Sequence, residues 1–158
     1  METKIAIGIR ATPSTIFYAI IEENKTEFRT HVIDRVNIPS ALAKPEQLKF
    51  IRNTFLDIIS EFGISVACVR VTESTAQGVS DIRIGIEAII QELFASSTIQ
   101  KYYAGQISSI SKKLNIKRDE FKPYADGTKT YNDFDGWKKL SLEHRESILS
   151  AFSALNLI

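Results

Sequence analysis

Four side chains in this sequence are candidates for chemistry. Glu73 follows an apolar run, and Glu143 and Glu146 lie three residues apart where a predicted helix begins. Residues at that spacing share one helix face. The fourth candidate is Arg10, which ends the first apolar run, and a guanidinium group stays charged and cannot ligate a metal ion. An acid directly after a buried strand favours a functional cleft, so Glu73 is the most suggestive of the three acids.

Each candidate also has a structural explanation. The helix dipole alone favours an acid at Glu143, in the first helical turn. Glu146 can be read as a solvated surface acid, and Arg10 as a side chain that extends from a turn into water. These alternatives stay open from the residues alone.

The order of the predicted elements decides where the four side chains meet. Three β-rich runs joined by short polar turns predict an antiparallel meander, and alternating helices and strands follow it, which predicts one mixed α/β sheet with helices on its faces. Pro45 and Gly63 mark the ends of the first helix, and Ser80 begins the second. The predicted strands are 4–9, 15–21, 26–36, 64–71 and 99–103, and the predicted helices are 45–62, one from 80, a weaker one at 105–114 and a final one at 141–155. Residues 115–139 are predicted to be a long loop with one helical turn.

Composition is ordinary, but the charge is unevenly distributed. The chain has 158 residues, 44% of them hydrophobic, and a net charge of +1. That length predicts a single domain covering residues 1–158. Residues 1–100 hold 10 Lys and Arg against 12 Asp and Glu, a net −2, whereas residues 101–145 hold 10 against 6, a net +4. The basic part of the molecule is therefore expected in its last third.

Cysteine usage and hydropathy point to an intracellular protein. Cys68 is the only cysteine and lies in an apolar run, which fits a buried thiol in a reducing compartment. No apolar segment of the kind found in signal peptides precedes the first predicted strand. No run is long enough to span a membrane. We expect a cytoplasmic location.

The element order resembles the ribonuclease H-like fold and, within it, the RuvC-type Holliday junction resolvases. In that family the first strand ends Gly-Ile-Asp-Pro-Gly, an acid follows the fourth strand, and two acids three residues apart begin the last helix. Here the first strand ends Gly8-Ile9-Arg10, so an arginine stands where the family has its first acid. Glu73 matches the acid after the fourth strand. Glu143 and Glu146 match the last pair. The resemblance predicts a five-stranded mixed sheet.

The resemblance implies a metal-dependent nuclease, and Arg10 argues against it. The family's carboxylates hold Mg²⁺ or Mn²⁺, hard cations that prefer oxygen ligands and activate water against a phosphodiester. One hypothesis is therefore a diverged Mg- or Mn-dependent endonuclease that uses Glu73, Glu143 and Glu146, with another acid such as Glu87 completing the set. Our preferred hypothesis is that Arg10 repels the metal and forms an ion pair with Glu73 in its place.

On the preferred hypothesis the protein needs no cofactor. It is a degenerate relative that binds nucleic acid or a protein partner without metal-dependent cleavage. A third hypothesis is a structural subunit of a larger assembly. Because RuvC-type relatives often dimerise, the resemblance also suggests a homodimer.

The basic last third supplies the candidate nucleic-acid contacts. Cations bind phosphates, and aromatic rings stack on unpaired bases. The candidate binding residues are Arg10, Tyr103, Lys112, Lys113, Lys117 and Arg118. The alternative is a solvated loop whose aromatic side chains cover the edge of the core. Six acids interspersed through residues 101–145 slightly favour that alternative.

Other common sites do not match the sequence. One cysteine and two distant histidines do not form a zinc motif. The run Asn132-Asp133-Phe134-Asp135-Gly136 fails as a calcium loop, because the first and last ligand positions fall on Tyr131 and Leu142. A phosphate-binding glycine loop is also missing from the sequence.

Overall fold

A five-stranded mixed sheet forms the centre of the molecule. The structure is a computed structural model and describes residues 3–74, 78 and 80–157. The strands are β1 (Lys4–Ala11), β2 (Thr15–Asn24), β3 (Glu27–Asn37), β4 (Val66–Arg70) and β5 (Lys101–Gly105). Their order across the sheet is β3-β2-β1-β4-β5. β2 is antiparallel to both β1 and β3, whereas β4 is parallel to both β1 and β5. The predicted meander and mixed sheet are confirmed.

Five helices in the described part of the chain connect and cover the strands, and the predicted end signals of the first two are confirmed. The helices are α1 (Lys44–Phe62), α2 (Asp81–Ser96), α3 (Ile107–Leu114), α4 (Phe121–Ala125) and α5 (Leu142–Leu155). Gly63 ends α1 in the left-handed conformation, with φ of 63°. The Ser80 and Ser141 side chains accept hydrogen bonds from backbone N–H groups in the first turns of α2 and α5. In the described part of the chain, no helix has both the length and the apolar content to cross a bilayer.

Side-chain alternation along β1 divides the core into two layers. Ile7 and Ile9 pack with apolar side chains of α1 and α2 on one face of the sheet. Ala6 packs on the other face, in a cluster to which α3, α4 and α5 contribute. Since side chains two residues apart point to the same side of a strand, Gly8 and Arg10 also belong to the α5 face. The end of β1 therefore presents Arg10 to the helix that carries the predicted acid pair.

Gly8 lets α5 lie directly on the sheet. A Cβ atom at Gly8 would be 1.9 Å from the carbonyl oxygen of Ser147 and 2.3 Å from the backbone nitrogen of Ala151. The sequence predicted an apolar stripe of Ile148, Leu149, Phe152 and Leu155, but α5 is buried at every position from Arg145 to Leu155. The sheet covers one side of the helix, and α3 and α4 pack against it as well, so small residues are needed where the stripe did not predict them.

Residues 115–139 are more ordered than the predicted loop. They contain α4 and three short 3₁₀ turns. Trp137 is buried, and its indole N–H donates to the carbonyl oxygen of Tyr124. The buried guanidinium of Arg145 donates to the carbonyl oxygens of Ala125, Trp137 and Lys138. One charged side chain of α5 therefore organises the segment, an interaction across the sequence that local patterns do not reveal.

Candidate functional site

The candidate site lies where β1 and β4 end. Arg10 and Arg70 are paired residues in the parallel register of these two strands. Cys68 lies two residues before Arg70 and packs in the α5-side cluster, so both arginines project from that face. The carboxyl ends of parallel strands are a common location for binding sites in α/β sheets. Here that edge presents two adjacent guanidinium groups.

Glu146 of α5 lies between these two guanidinium groups. The Nε atom of Arg70 donates to Oε1 of Glu146 at 2.9 Å. The Nε atom of Arg10 is 3.0 Å from the same oxygen. The N–H group is not aligned with that oxygen, so the buried Nε of Arg10 makes no hydrogen bond to the described residues. The predicted Arg10–Glu73 ion pair is therefore wrong in its partner, because Glu146 of α5 reaches Arg10 while Glu73 contacts Arg70 instead.

Glu73 contacts a different set of groups. Its Oε2 accepts from Nη1 of Arg70 at 2.9 Å and from the backbone N–H of Ile107 at 3.0 Å. Oε1 is 3.8 Å from Nη2 of Arg118. Ile107 begins α3, where the helix dipole favours an anion. The Glu73 carboxylate thus links β4, the start of α3 and the turn that carries Arg118.

A second buried acid approaches the site from α2. Glu87 is 4% exposed and accepts from the Thr72 backbone N–H at 3.0 Å and the Thr72 hydroxyl at 3.1 Å. Nε of Arg83 donates to Glu87 at 2.8 Å. The Nη2 atom of Arg83 is buried and has no hydrogen-bond partner among the described residues. Glu87, which the metal hypothesis assigned as a further ligand, instead holds Thr72 and Arg83 in place.

The arginines of this set and Glu73 line one cleft with a volume of about 610 Å³. Its cationic lining residues are Arg10, Arg70, Arg83, Arg118 and Lys122, and its acidic ones are Glu73 and Asp119. Five positive charges face two negative ones on the lining, and the buried Glu146 and Glu87 behind it bring the balance to five against four, an excess of one positive charge. The cleft therefore favours an anionic ligand.

Burial changes the pKa of Glu146, the acid between the two arginines. Burial raises the pKa of the Glu146 carboxyl above its ordinary value, and the positive charge and hydrogen bond of Arg70 offset part of that rise. The nearby charge of Glu143 adds to it. The ionised form of Glu146 thus depends on the arginines around it.

The geometry of this cleft does not fit a divalent metal ion. Within residues 3–74, 78 and 80–157, no group of three or more His, Cys, Asp or Glu side chains is arranged to hold one. Glu73 and Glu146 both accept hydrogen bonds from Arg70, and the half-buried Glu143 is in none of the ion pairs of those residues. Two buried donors, Nε of Arg10 and Nη2 of Arg83, have no hydrogen-bond partner in the part of the chain that the structure describes, and such donors require acceptors rather than a cation.

The structure brings only part of the predicted binding set to the cleft. Arg10 and Arg118 line it, but Lys112 and Lys113 lie in the last turn of α3 and Lys117 just beyond that helix, outside the lining. The Tyr103 hydroxyl donates to Ser153 at 2.6 Å. Nζ of Lys113 lies over the Tyr103 ring, 5.0 Å from its centre. Tyr103 therefore contacts other side chains of the protein and does not line the cleft.

Sequence reasoning missed Arg70 and Arg83. Arg70 ends an otherwise apolar buried strand, and Arg10 is the last residue but one of β1, so this repetition in two adjacent parallel strands was a usable signal. Arg83 lies one helical turn before Glu87, a spacing that predicts an ion pair on a helix. What the sequence did not show was that both features meet at one edge of the sheet.

Comparison with known proteins gives a fold but no sequence family. No protein-family model matches the chain, and no curated protein sequence is significantly similar to it. RuvC of Thermus thermophilus matches with a TM-score of 0.69 and 10% identity, over 96% of this chain and 93% of that one. The same protein in complex with Holliday junction substrate matches with a TM-score of 0.69 and 12% identity over the same shares.

A viral enzyme shows the same likeness. Fowlpox virus resolvase, in complex with its substrate Holliday junction DNA, matches with a TM-score of 0.52 and 16% identity, over 94% of this chain and 95% of that one. The sheet order and the helices of this chain therefore form the ribonuclease H-like fold of RuvC-type resolvases.

Proposed function

We propose that this protein binds nucleic acid at the arginine-lined cleft and does not cleave it by a metal-dependent reaction. The observation that carries this proposal is the arrangement of Arg10 and Arg70 around Glu146. Arg10 stands near the end of β1, where the resolvases that the sequence resembles have their first metal-binding acid, and Arg70 lies beside it at the end of β4. A cation at this position removes a ligand and opposes the charge of the ion.

Two further observations support nucleic acid as the ligand. The cleft lining has five positive residues against two negative ones, and cations on a surface are the main source of affinity for phosphate backbones. Two structures with the same fold, RuvC of Thermus thermophilus and Fowlpox virus resolvase, were solved with Holliday junction DNA. Binding of a protein partner and formation of a homodimer stay predictions from the sequence.

Fluorescence anisotropy with labelled DNA in EDTA tests the binding. Single-stranded, duplex and branched DNA should bind without metal, and the affinity should fall as salt increases, because binding releases counterions. The double variant Arg118→Gln/Lys122→Gln should weaken binding, since both side chains are exposed cations of the lining. The matched control is Lys101→Gln, an exposed cation at the start of β5 and so at the opposite edge of the sheet. Absence of binding in EDTA would refute the proposal.

A cleavage assay addresses the metal-dependent alternative. The same DNA substrates are incubated with Mn²⁺ and either the wild-type chain or Glu73→Gln. We expect no product from either protein. A product that the wild type forms and Glu73→Gln does not would establish a nuclease that uses Glu73, with Glu143 and Glu146 as the other ligand candidates.

A further inference from the structure

We propose that the cleft holds a terminal phosphate group, a phosphomonoester at the end of a nucleic-acid strand or on a free nucleotide. This inference deepens the proposed function and rests on it for nucleic acid as the source of the phosphate. Three features of the cleft lead to it, namely an unpartnered guanidinium donor, the position of Glu73, and the number of donors together with the volume.

Buried acids orient three of the lining arginines from the interior of the protein. The Nε edges of Arg10 and Arg70 face Glu146, and the Nε edge of Arg83 donates to Glu87. Both acids are buried, so these contacts fix the guanidinium groups from the protein side. Nη2 of Arg83 is buried and has no hydrogen-bond partner within residues 3–74, 78 and 80–157, and a buried donor of this kind requires an acceptor. Guanidinium groups match the oxygens of phosphate, which can accept two parallel hydrogen bonds.

Glu73 shows that this part of the cleft stabilises a negative group. Its carboxylate accepts from the first N–H of α3 and from Arg70, and it lies 3.8 Å from Arg118. A helix N-terminus with flanking arginines also suits a phosphate. Glu73 is 21% exposed, so its charge is felt by a ligand in the cleft. It therefore weakens anion binding, and neutralising it should strengthen that binding.

Acceptor number and volume favour a terminal phosphate over an internal one. Five positive residues line the cleft, and their pairing with the buried Glu146 and Glu87 leaves several guanidinium N–H groups as the main donors to a ligand. A phosphomonoester presents three acceptor oxygens beyond its ester bond, whereas a backbone phosphodiester presents two. The cleft volume of about 610 Å³ is in the range of small-ligand sites, which is enough for one terminal nucleotide. An end group therefore offers these donors more acceptors than a strand that passes through.

Binding of matched oligonucleotides tests the proposal. One single-stranded sequence is prepared with a 5′-phosphate, with a 3′-phosphate and with hydroxyl groups at both ends, and a nucleoside 5′-monophosphate is compared with its nucleoside. In EDTA, at least one phosphorylated end should bind about tenfold more tightly than the hydroxyl form, and the monophosphate should compete while the nucleoside should not.

Three variants identify the cleft as the site. Glu73→Gln should increase the preference for the phosphorylated end, Arg118→Gln should reduce it, and Lys101→Gln at the opposite edge should leave it unchanged. Thermal unfolding of each variant verifies that it is folded. A weaker preference in folded Glu73→Gln would overturn the proposal, because it would mean that the carboxylate assists the ligand, as it would assist a cation.

The outcomes separate this inference from the proposed function. Equal binding of all three oligonucleotides, without competition by the monophosphate, overturns the terminal-phosphate site and leaves nucleic-acid binding intact. Monophosphate binding that responds to Glu73→Gln, without oligonucleotide binding, supports the phosphate site with a free nucleotide as its source and refutes the proposed function.

Discussion

At the scale of single residues, the centre of the site is a buried acid shared by two cations. Glu146 is 6% exposed and Arg70 is 5% exposed. Removing such charges from water is costly, and their mutual attraction offsets that cost only when geometry and hydrogen bonds are good. Arg70 satisfies that condition, since it donates to Glu146, Glu73 and the carbonyl oxygen of Val71. Arg10 does so less well, because its Nε lacks an aligned acceptor.

We expect the substitution Arg70→Met to destabilise the protein by about 3–5 kcal/mol, the usual loss when one partner of a buried ion pair is removed. Urea unfolding measures the change. Glu143→Gln is the control, because Glu143 is half-buried and outside the ion pairs of the described residues, and its effect should stay within about 0.5 kcal/mol. A similar loss in both variants would show that the Arg70 contacts are not what stabilises this edge of the sheet.

The pH dependence of that loss follows from the raised pKa of Glu146. Between the ordinary value of 4.5 and the raised one, the folded chain holds a proton that the unfolded chain has released. Stability from this group therefore falls as pH rises through that interval. Arg70 limits the rise in pKa, so Arg70→Met should widen the interval. The difference in unfolding free energy between wild type and variant should grow as pH rises above 4.5, and a constant difference would contradict this assignment.

At the scale of elements, the position of α5 on β1 determines where Glu146 lies. Gly8→Ala would place a methyl group 1.9 Å from the backbone oxygen of Ser147. Because backbone cannot move aside without shifting α5, we expect a loss of about 3 kcal/mol or more in urea unfolding.

Gly85→Ala in α2 is the matched control for Gly8→Ala. Its nearest neighbour is Cε of Lys44 at 3.7 Å, the end of a flexible side chain. Alanine in a helix interior should stabilise the chain by about 0.5–1 kcal/mol. If both alanines have the same small effect, α5 does not depend on close approach at Gly8.

The helices and strands could be predicted from the sequence because the signals that define them are local. Pro45, Gly63 and Ser80 define helix ends through backbone geometry and side-chain caps, and the structure has each of them in that role. The ordered segment after α3 was not accessible, because Arg145 of α5 organises it through three distant carbonyl groups. Local patterns do not encode contacts of that kind.

Only part of the candidate site could be predicted from the sequence, for a related reason. The replacement of an expected acid by Arg10 was visible in the first strand. Its partner was not, because the choice between Glu73 and Glu146 depends on which face of β1 meets α5. Arg70 became important only through the parallel register that pairs it with Arg10. Register and helix placement are tertiary properties. The sequence could therefore identify the candidate acids but not the arginine that each one contacts.

At the scale of the whole molecule, the fold and the site are separate findings. The sheet and helices match RuvC of Thermus thermophilus over 96% of the chain, and the lining of the cleft is mainly cationic. A fold alone does not determine function, because function depends on a few side chains at one edge of the sheet. In this chain those side chains are suited to an anion.

Thermal unfolding during titration with Mn²⁺ tests the central claim most directly. A ligand that binds only the folded state raises the melting temperature as its concentration increases. We predict no such rise for the wild-type chain, because arginine donors surround Glu73 and Glu146. A rise that depends on Mn²⁺ concentration and disappears in Glu73→Gln would contradict the claim and establish a metal site between these acids.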